Sequence, residues 1–411
     1  MTNTLVIQGT LLNDLRTDII IKDNTISAVG QQLAVPQGAE IIDGCNTAVF
    51  PTFANMHSHA PMVLLRGVGD DTPLDLWLNN HIWPRERRLD DEAIYWGTRL
   101  ACIEMIKSGT TAFNDMYFRL PAMAQAVADS GIRAQLGLNL FGNADELDTF
   151  DPQPHPLVSY SVAPHAVYTV NEHGLRRATL FAQSHNTAFH IHLSETQKEV
   201  SDCLAEHGCR PAEWLDRLGV LAALGPKIIA AHSLHLADDE VQLLGNHGCT
   251  VVHNPNSNLK LGSGHRFLMA ELSQAGANVT LGTDGCASSN NLCMLEAAKT
   301  AALLQKGWRN DPTAAPAALV MEMASRHGFA ALGLKAGRVE AGWLADLMLV
   351  DLGNLAFVPN HNTLSNLLYA AHSDAISTVV CNGRVVMRNR QVEGEAEVVA
   401  QARRCASRLM G

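Results

Sequence analysis

A chain of 411 residues exceeds the usual single compact core, although barrels routinely reach about 250 residues as one unit. A large barrel with a smaller satellite is therefore expected. With 47% hydrophobic and 17% charged residues the composition is globular and excludes a disordered chain. The net charge of −11 argues against a nucleic-acid partner, which needs a basic face.

The longest basic cluster, Arg85-Glu86-Arg87-Arg88, is interrupted by an acid and reads on its own as a solvated helix start. The nine cysteines are odd in number, scattered and free of Cys-x-x-Cys pairs, which fits reduced thiols in a cytoplasmic protein. The segment Met1-Thr2-Asn3-Thr4-Leu5-Val6-Ile7 lacks a basic region ahead of an apolar core, and no apolar run approaches about 18 residues. Neither membrane insertion nor export is expected.

In chain order, residues 1 to about 50 read as short strands with turns and no helix: Thr4 to Ile7, Asp18 to Ile21, Thr25 to Gly30 and Glu40 to Asp43. The apolar run Ala48 to Phe53 then reads as a buried strand ending in Asn55-Met56-His57-Ser58-His59. From Pro51 to about Gly333, short apolar runs alternate with helical patterns such as Glu92 to Lys107 and Asp238 to Asn246, the texture of repeated βα units. Eight such runs occur. After the first, they end near Asp115, Asn139, Ala163, His192, His232, His253 and Asp284. Eight parallel strands with intervening helices predict a (β/α)8 TIM barrel over 52–336, with functional residues at the C-terminal strand ends. Gly337 to Leu352 and Ile376 to Val392 return to short strands, with a turn signal at Asn382-Gly383. Residues 1–51 and 337–411 are expected to form a small discontinuous β-sandwich domain with a C-terminal helix.

Chemistry concentrates at the strand ends. His57 and His59 stand at i and i+2, so on a strand both rings point the same way and can share one ion. His190 and His192 repeat the pattern, followed by Glu195; strand six ends in His232 and strand eight in Asp284. An isolated histidine or aspartate here would ordinarily be a core or helix-capping group. A barrel, however, gathers strand ends around one axis, and three imidazoles with a carboxylate make a site for a divalent transition metal with room for water.

These motifs closely resemble the amidohydrolase superfamily, and within it the S-adenosylhomocysteine/5′-methylthioadenosine deaminases, related to atrazine-chlorohydrolase-like aminohydrolases. The resemblance spans nearly the whole chain. It is carried by Asn55 to Met62 with Leu65-Arg66-Gly67, Trp77-Leu78, Pro84-Arg85-Glu86, Pro164-His165, His190 to Thr196, Ala231-His232-Ser233, His253 to Gly262 and Gly282 to Gly285. It implies that His57, His59, His192 and Asp284 bind a metal, that His232 touches the attacking water, and that Glu195 shuttles protons. His190 matches a less constrained position and reads as inward packing behind the ligands. Two-metal members bridge their ions with a carboxylated lysine on strand four; Val158 to His165 contains no lysine, so one divalent ion is expected. Zinc is the default for such a donor set, and iron or manganese also occupies such sites.

The resemblance further implies attack of activated water on a ring carbon bearing an amino group. Glu195 moves a proton to the adjacent ring nitrogen, His232 and Asp284 take up the second proton, and ammonia leaves. Trp77 and Glu86 would lie over a nucleoside, Glu86 accepting ribose hydroxyls, while His165 and Ser288 would contact the purine. Relatives that prefer S-adenosylhomocysteine present arginines after strand three, whereas Gly137 to Pro156 has none and is acidic at Asp145-Glu146. A carboxylate there would lack its charge-assisted partner unless Arg119 or a neighbouring subunit supplied one. A neutral 5′ group is therefore expected, as in 5′-methylthioadenosine, 5′-deoxyadenosine or adenosine. The competing readings are an aminohydrolase of free bases, pterins or triazines, or a dechlorinase, on the same frame, and a non-catalytic scaffold, which retention of every ligand disfavours. The family also implies a homo-oligomer.

Overall fold

The computed structural model describes residues 4–410, so Met1 to Asn3 and Gly411 of the expected terminal domain lie outside the described residues. The chain opens with β1 (Thr4–Leu12), β2 (Leu15–Lys22), β3 (Thr25–Gly30), β4 (Glu40–Asp43) and β5 (Thr47–Pro51). β-branched runs such as Ile19-Ile20-Ile21 suit strands. Asn13 and Asp14, both left-handed at φ 49° and 62°, supply the two-residue turn between β1 and β2.

The barrel follows as β6 (Phe53–Ser58), β7 (Thr110–Tyr117), β8 (Arg133–Leu140), β9 (Val158–Pro164), β10 (Ala188–Leu193), β11 (Ile228–His232), β12 (Thr250–His253) and β13 (Asn278–Leu281), each strand beside the next. Their ladders are parallel. β6, β7, β11 and β12 are buried at every residue, as expected of a parallel sheet covered on both faces. The seam between β13 and β6 closes through Asp284 N–H to His57 O at 2.9 Å, while the Asn55 side chain bonds Thr283 N–H and Oγ1 at 3.0 and 2.7 Å.

The chain returns as β14 (Leu347–Asp351), β15 (Ile376–Cys381) and β16 (Arg384–Met387), ending in the helix Glu395–Met410. Strand order is β16-β15-β14-β5-β1-β2-β3, with β4 on β1. The terminal segments thus make one continuous mixed sheet, and its Leu5, Ile7, Ile19, Ile21, Val49, Leu347 and Leu349 share one apolar cluster. The helix Glu395–Met410 buries Val398, Ala402, Cys405 and Leu409, a single face at helical spacing.

One expectation needs correction. The run Ala48 to Phe53 is not one strand feeding the histidines: β5 ends at Pro51 in the terminal sheet and β6 begins at Phe53 in the barrel. Thr52 makes the transfer, its N–H bonding Asp346 O at 3.2 Å while Phe53 N–H bonds Gly109 O at 2.9 Å. Proline, lacking an N–H, cannot continue the β5 ladder. A buried ion pair between Arg133 and Asp346 also ties the two sheets, with Thr111 Oγ1 donating to Asp346 at 3.1 Å. Among the described residues no helix is long and apolar enough to cross a membrane.

Candidate active site

Four rings converge at the C-terminal strand ends. The His57 centroid lies 4.9 Å from those of His59 and His192 and 5.2 Å from that of His232. Asp284 Oδ1 lies 3.3 Å from His59 Nε2 and 3.6 Å from His57 Nε2, and the Nε2 atoms of His59 and His192 are 3.4 Å apart. Ligand atoms of His57, His192 and His232 fall within 4.8 Å of one another, and so do those of His57, His59 and Asp284.

Each ring is tied at its outer nitrogen. His59 Nδ1 bonds Met116 O at 2.7 Å, His192 Nδ1 bonds His165 O at 2.7 Å, and His232 Nδ1 meets Asn258 Oδ1 at 2.8 Å. His57 Nδ1 meets His190 Nε2 at 2.9 Å. His190 thus lies behind the cluster rather than in it. The inward His57 Nε2 is buried with no hydrogen-bond partner, although buried polar atoms are normally satisfied. Inward Nε2 atoms with outer nitrogens fixed by hydrogen bonds are the usual dress of metal-ligating histidines.

The electrostatics point the same way. Burial opposes the charge on Asp284, but the His57 and His59 rings hold it well below the usual carboxylate range. Burial likewise opposes a charge on His59, yet Asp284 and Asp115 raise it to about 9, whereas burial lowers His57 to about 4. Asp284 and Asp115 thus favour a proton on His59 over one on His57. A divalent cation bound here would displace that proton, the ordinary coupling of metal binding to ligand deprotonation. The donor set fits a divalent metal. No lysine occurs in β9, the fourth barrel strand.

Glu195 stands beside this cluster, Oε2 at 3.8 Å from His232 Nε2 and Oε1 accepting from Ser263 Oγ at 3.1 Å. Its loop is clamped from below. Glu199, in the first turn of the helix Gln197–His207, accepts the N–H groups of Ser194 and Glu195 at 2.7 and 2.8 Å. Burial pushes Glu199 up to about 8, against those two main-chain bonds. Ser194, His232, Ser233 and Asp284 all hold left-handed backbone at φ 50°, 71°, 51° and 64°. Such strain in non-glycine residues persists only where the surroundings enforce it, and it clusters at functional sites. Asp115, absent from the sequence-based set, accepts Ser58 Oγ and Ala60 N–H at 2.7 Å each and braces the turn that carries His59.

Trp77, Glu86, His165 and Ser288 line one cavity together with His59, His192, Glu195, His232 and Asp284. Trp77 is also packed in place, donating Nε1–H to Val68 O at 2.9 Å. Glu86 Oε1 accepts from Tyr117 Oη at 2.7 Å; burial raises its pKa and that bond opposes the rise. Burial lowers His165 to about 3, so the ring is neutral, and it stacks on Phe141 with centroids 5.1 Å apart. Ser288 Oγ donates to Gly285 O at 3.0 Å.

Tyr117, Asn139, Phe141 and Tyr168 also line the cavity, and the sequence reading names none of them as site residues. Tyr117 ends β7 and Asn139 lies one residue from the end of β8, so the strand-end rule would have found both. Asn139 Oδ1 is buried without a partner. Phe141 and Tyr168 sit in loops and carry no such signal. Trp83, Glu86, Phe118 and Phe141 also wall an adjoining recess with Leu89, Ile94, Arg87 and Arg119. There Arg119 pairs with Asp91 at 2.7 Å. The acidic loop after β8 is not free either: Asp145 and Asp148 both pair with Arg177 of the helix Glu172–Ser184.

Barrel, strand-end donor set and auxiliary terminal sheet define a class. The chain belongs to the amidohydrolase family, whose profile matches residues 48–386. Within it, the chain is 45% identical over 410 residues to a 5′-deoxyadenosine deaminase of Methanoregula boonei, covering 96% of this chain and 92% of that one. It is 43% identical over 390 residues to 5-methylthioadenosine/S-adenosylhomocysteine deaminase 1 of Archaeoglobus fulgidus, covering 90% of each. Among solved structures, an adenosine deaminase from Xanthomonas campestris with bound zinc superposes with a TM-score of 0.92 at 35% identity, covering 99% of both chains.

Proposed function

We propose that this protein is a metal-dependent aminohydrolase that deaminates adenine nucleosides, releasing ammonia and the inosine analogue. The observation that carries the reading is the meeting, in one cavity, of the His–Asp cluster, the non-ligand acid Glu195 and the buried carboxylate Glu86. The names of the relatives at 43–45% identity support it.

His57, His59, His192 and Asp284 would hold one divalent ion, zinc by the precedent of the Xanthomonas relative. When bound, such an ion would supply Lewis-acid chemistry that lowers the pKa of water toward about 7. The remaining steps belong to side chains. Glu195 takes a proton from the attacking water and delivers it to the ring nitrogen beside the amino-bearing carbon. His232 and Asp284 orient that water, take its second proton and pass it to the amino group, so that the C–N bond breaks and the amine leaves as ammonia. Glu86, held by Tyr117, accepts the ribose hydroxyls; Trp77 covers the nucleoside; neutral His165 and Ser288 address the purine, with the unpaired Asn139 Oδ1 a further acceptor.

The recess beside Glu86 would receive the 5′ group. Its walls are largely apolar, and Arg119 is engaged by Asp91, which favours a neutral 5′ substituent such as that of 5′-deoxyadenosine or 5′-methylthioadenosine over a carboxylate. Nine free thiols support a reducing cytoplasmic setting. The test compares kcat/KM for 5′-deoxyadenosine, 5′-methylthioadenosine, adenosine and S-adenosylhomocysteine on zinc-loaded protein. Preference for the neutral nucleosides is expected. Preference for S-adenosylhomocysteine would overturn the 5′ assignment and turn attention to Arg87 and Arg119; inertness toward all four would remove the ribose role of Glu86.

A further inference from the structure

We propose that His190 is a positioning residue that sets the tautomer of His57 and so keeps the His57 Nε2 lone pair aimed at the metal position; the inference rests on the metal-site reading above. A neutral imidazole offers one N–H donor and one bare nitrogen acceptor. His57 Nδ1 and His190 Nε2 face each other at 2.9 Å, so one hydrogen is shared between two rings. Only one placement serves an ion. The hydrogen must sit on His57 Nδ1 and be accepted by a bare His190 Nε2. The opposite placement puts a hydrogen on His57 Nε2, where it would point toward Asp284 Oδ1 at 3.6 Å and close the ligand position.

His57 differs here from its neighbours. His59, His192 and His232 face Met116 O, His165 O and Asn258 Oδ1, oxygens that can only accept and therefore force a hydrogen onto each Nδ1. His57 instead leans on a group able to donate or accept, so its tautomer depends on what stands behind His190. There, Asn114 Nδ2 lies 3.0 Å from His190 Nδ1. An acceptor facing His190 Nδ1 would draw the ring hydrogen there and leave Nε2 bare. Asn114 Oδ1 is buried without a partner when its Nδ2 faces the ring, and turning that amide end for end supplies the acceptor, at the cost of its 3.1 Å bond to Met56 O. His57 is common to both sets of clustered donor atoms, so an error in its tautomer would affect the whole centre.

The first test is the zinc dissociation constant, by chelator competition, of the wild type, His190→Leu and His190→Gln, with circular dichroism of the metal-free forms to monitor folding. Leu removes the acceptor and is expected to weaken zinc binding about 10- to 100-fold, the usual effect of losing a ligand's outer partner. Gln can present an amide oxygen and is expected to recover most of that loss. A folded His190→Leu protein that binds zinc as tightly as the wild type overturns the proposal, and so does a Gln variant no better than Leu. Because His190 is fully buried and its variants can fail to fold, a second measurement uses the unaltered protein: nitrogen-15 imidazole spectra of the zinc-loaded form. These are expected to show hydrogen on His57 Nδ1 and a bare His190 Nε2. With zinc bound, a hydrogen on His190 Nε2 overturns this inference alone; a wild type that takes up no zinc overturns the metal reading and this inference with it.

Discussion

Replacing Glu195 with Gln isolates proton transfer from everything else the site does. The side chain keeps its length and volume, and Gln Oε1 can still accept from Ser263 Oγ, as Glu195 does at 3.1 Å. The loop is held independently, because Glu199 bonds the main-chain N–H groups of Ser194 and Glu195 and not the Glu195 carboxylate. The metal ligands are untouched. What disappears is a base 3.8 Å from His232, on the side of the cluster where water must lose a proton. A positioned acid–base group contributes about 10²- to 10⁴-fold, or about 3–5 kcal/mol of barrier. The variant should therefore hold one equivalent of zinc, keep KM within about threefold and lose kcat by that factor. The assay is the ultraviolet change on adenosine deamination, run beside metal analysis of the same sample. A kcat within tenfold of wild type with zinc retained would refute the assignment and shift the proton chemistry to His232 or Asp284.

Glu86→Gln should lower kcat/KM for nucleosides about 10- to 100-fold, the worth of one or two hydrogen bonds to a charged group, while leaving any turnover of free adenine unchanged; equal losses on both would refute a ribose role. Asp346→Asn should cost about 3–5 kcal/mol in urea denaturation, because it strands the buried Arg133 guanidinium where the terminal sheet meets the barrel. A loss below about 1 kcal/mol would show that the pair adds little. His253 is wholly buried, stacked on Phe267, without a partner on either nitrogen, and burial lowers it from 6.5 to about 3. Its neutral form stabilises the fold in full above about 6.5, and that contribution falls as pH drops toward about 3, by about 1.4 kcal/mol per unit. His253→Leu should therefore flatten the acid limb of the stability profile; an unchanged limb would show that other groups drive acid unfolding.

The barrel is legible in the sequence because parallel strands buried on both faces leave continuous apolar runs, and because every run but the fourth, which ends at Ala163, ends in a polar group. The proposed ligands are legible because alternation along a strand turns a spacing of two residues into a common direction, as at His57 and His59. The break at Thr52 is not. One apolar run serves two sheets there, and nothing in Ala48 to Phe53 marks where the first sheet gives way to the second except Pro51, which reads equally well as the start of the barrel.

The support behind the ligands is illegible for a different reason. An imidazole presents one nitrogen to an ion only if something fixes the other, and the fixing partners come from Met116 on β7, His165 after β9, His190 on β10 and Asn258 after β12. Two of these four use main-chain oxygens, which any residue could supply, so no side chain at Met116 or His165 records the function. Asp115 and Glu199 act on main-chain N–H groups and would read as ordinary buried or helix-capping acids. The proposed metal centre is therefore specified twice: once by residue types that a linear pattern displays, and once by strand register, which brings carbonyls and amides to the outer nitrogens and has no sequence signature at the positions themselves. Only His190 and Asn258 spend side chains on that second task, which is why substitution at His190 can test it.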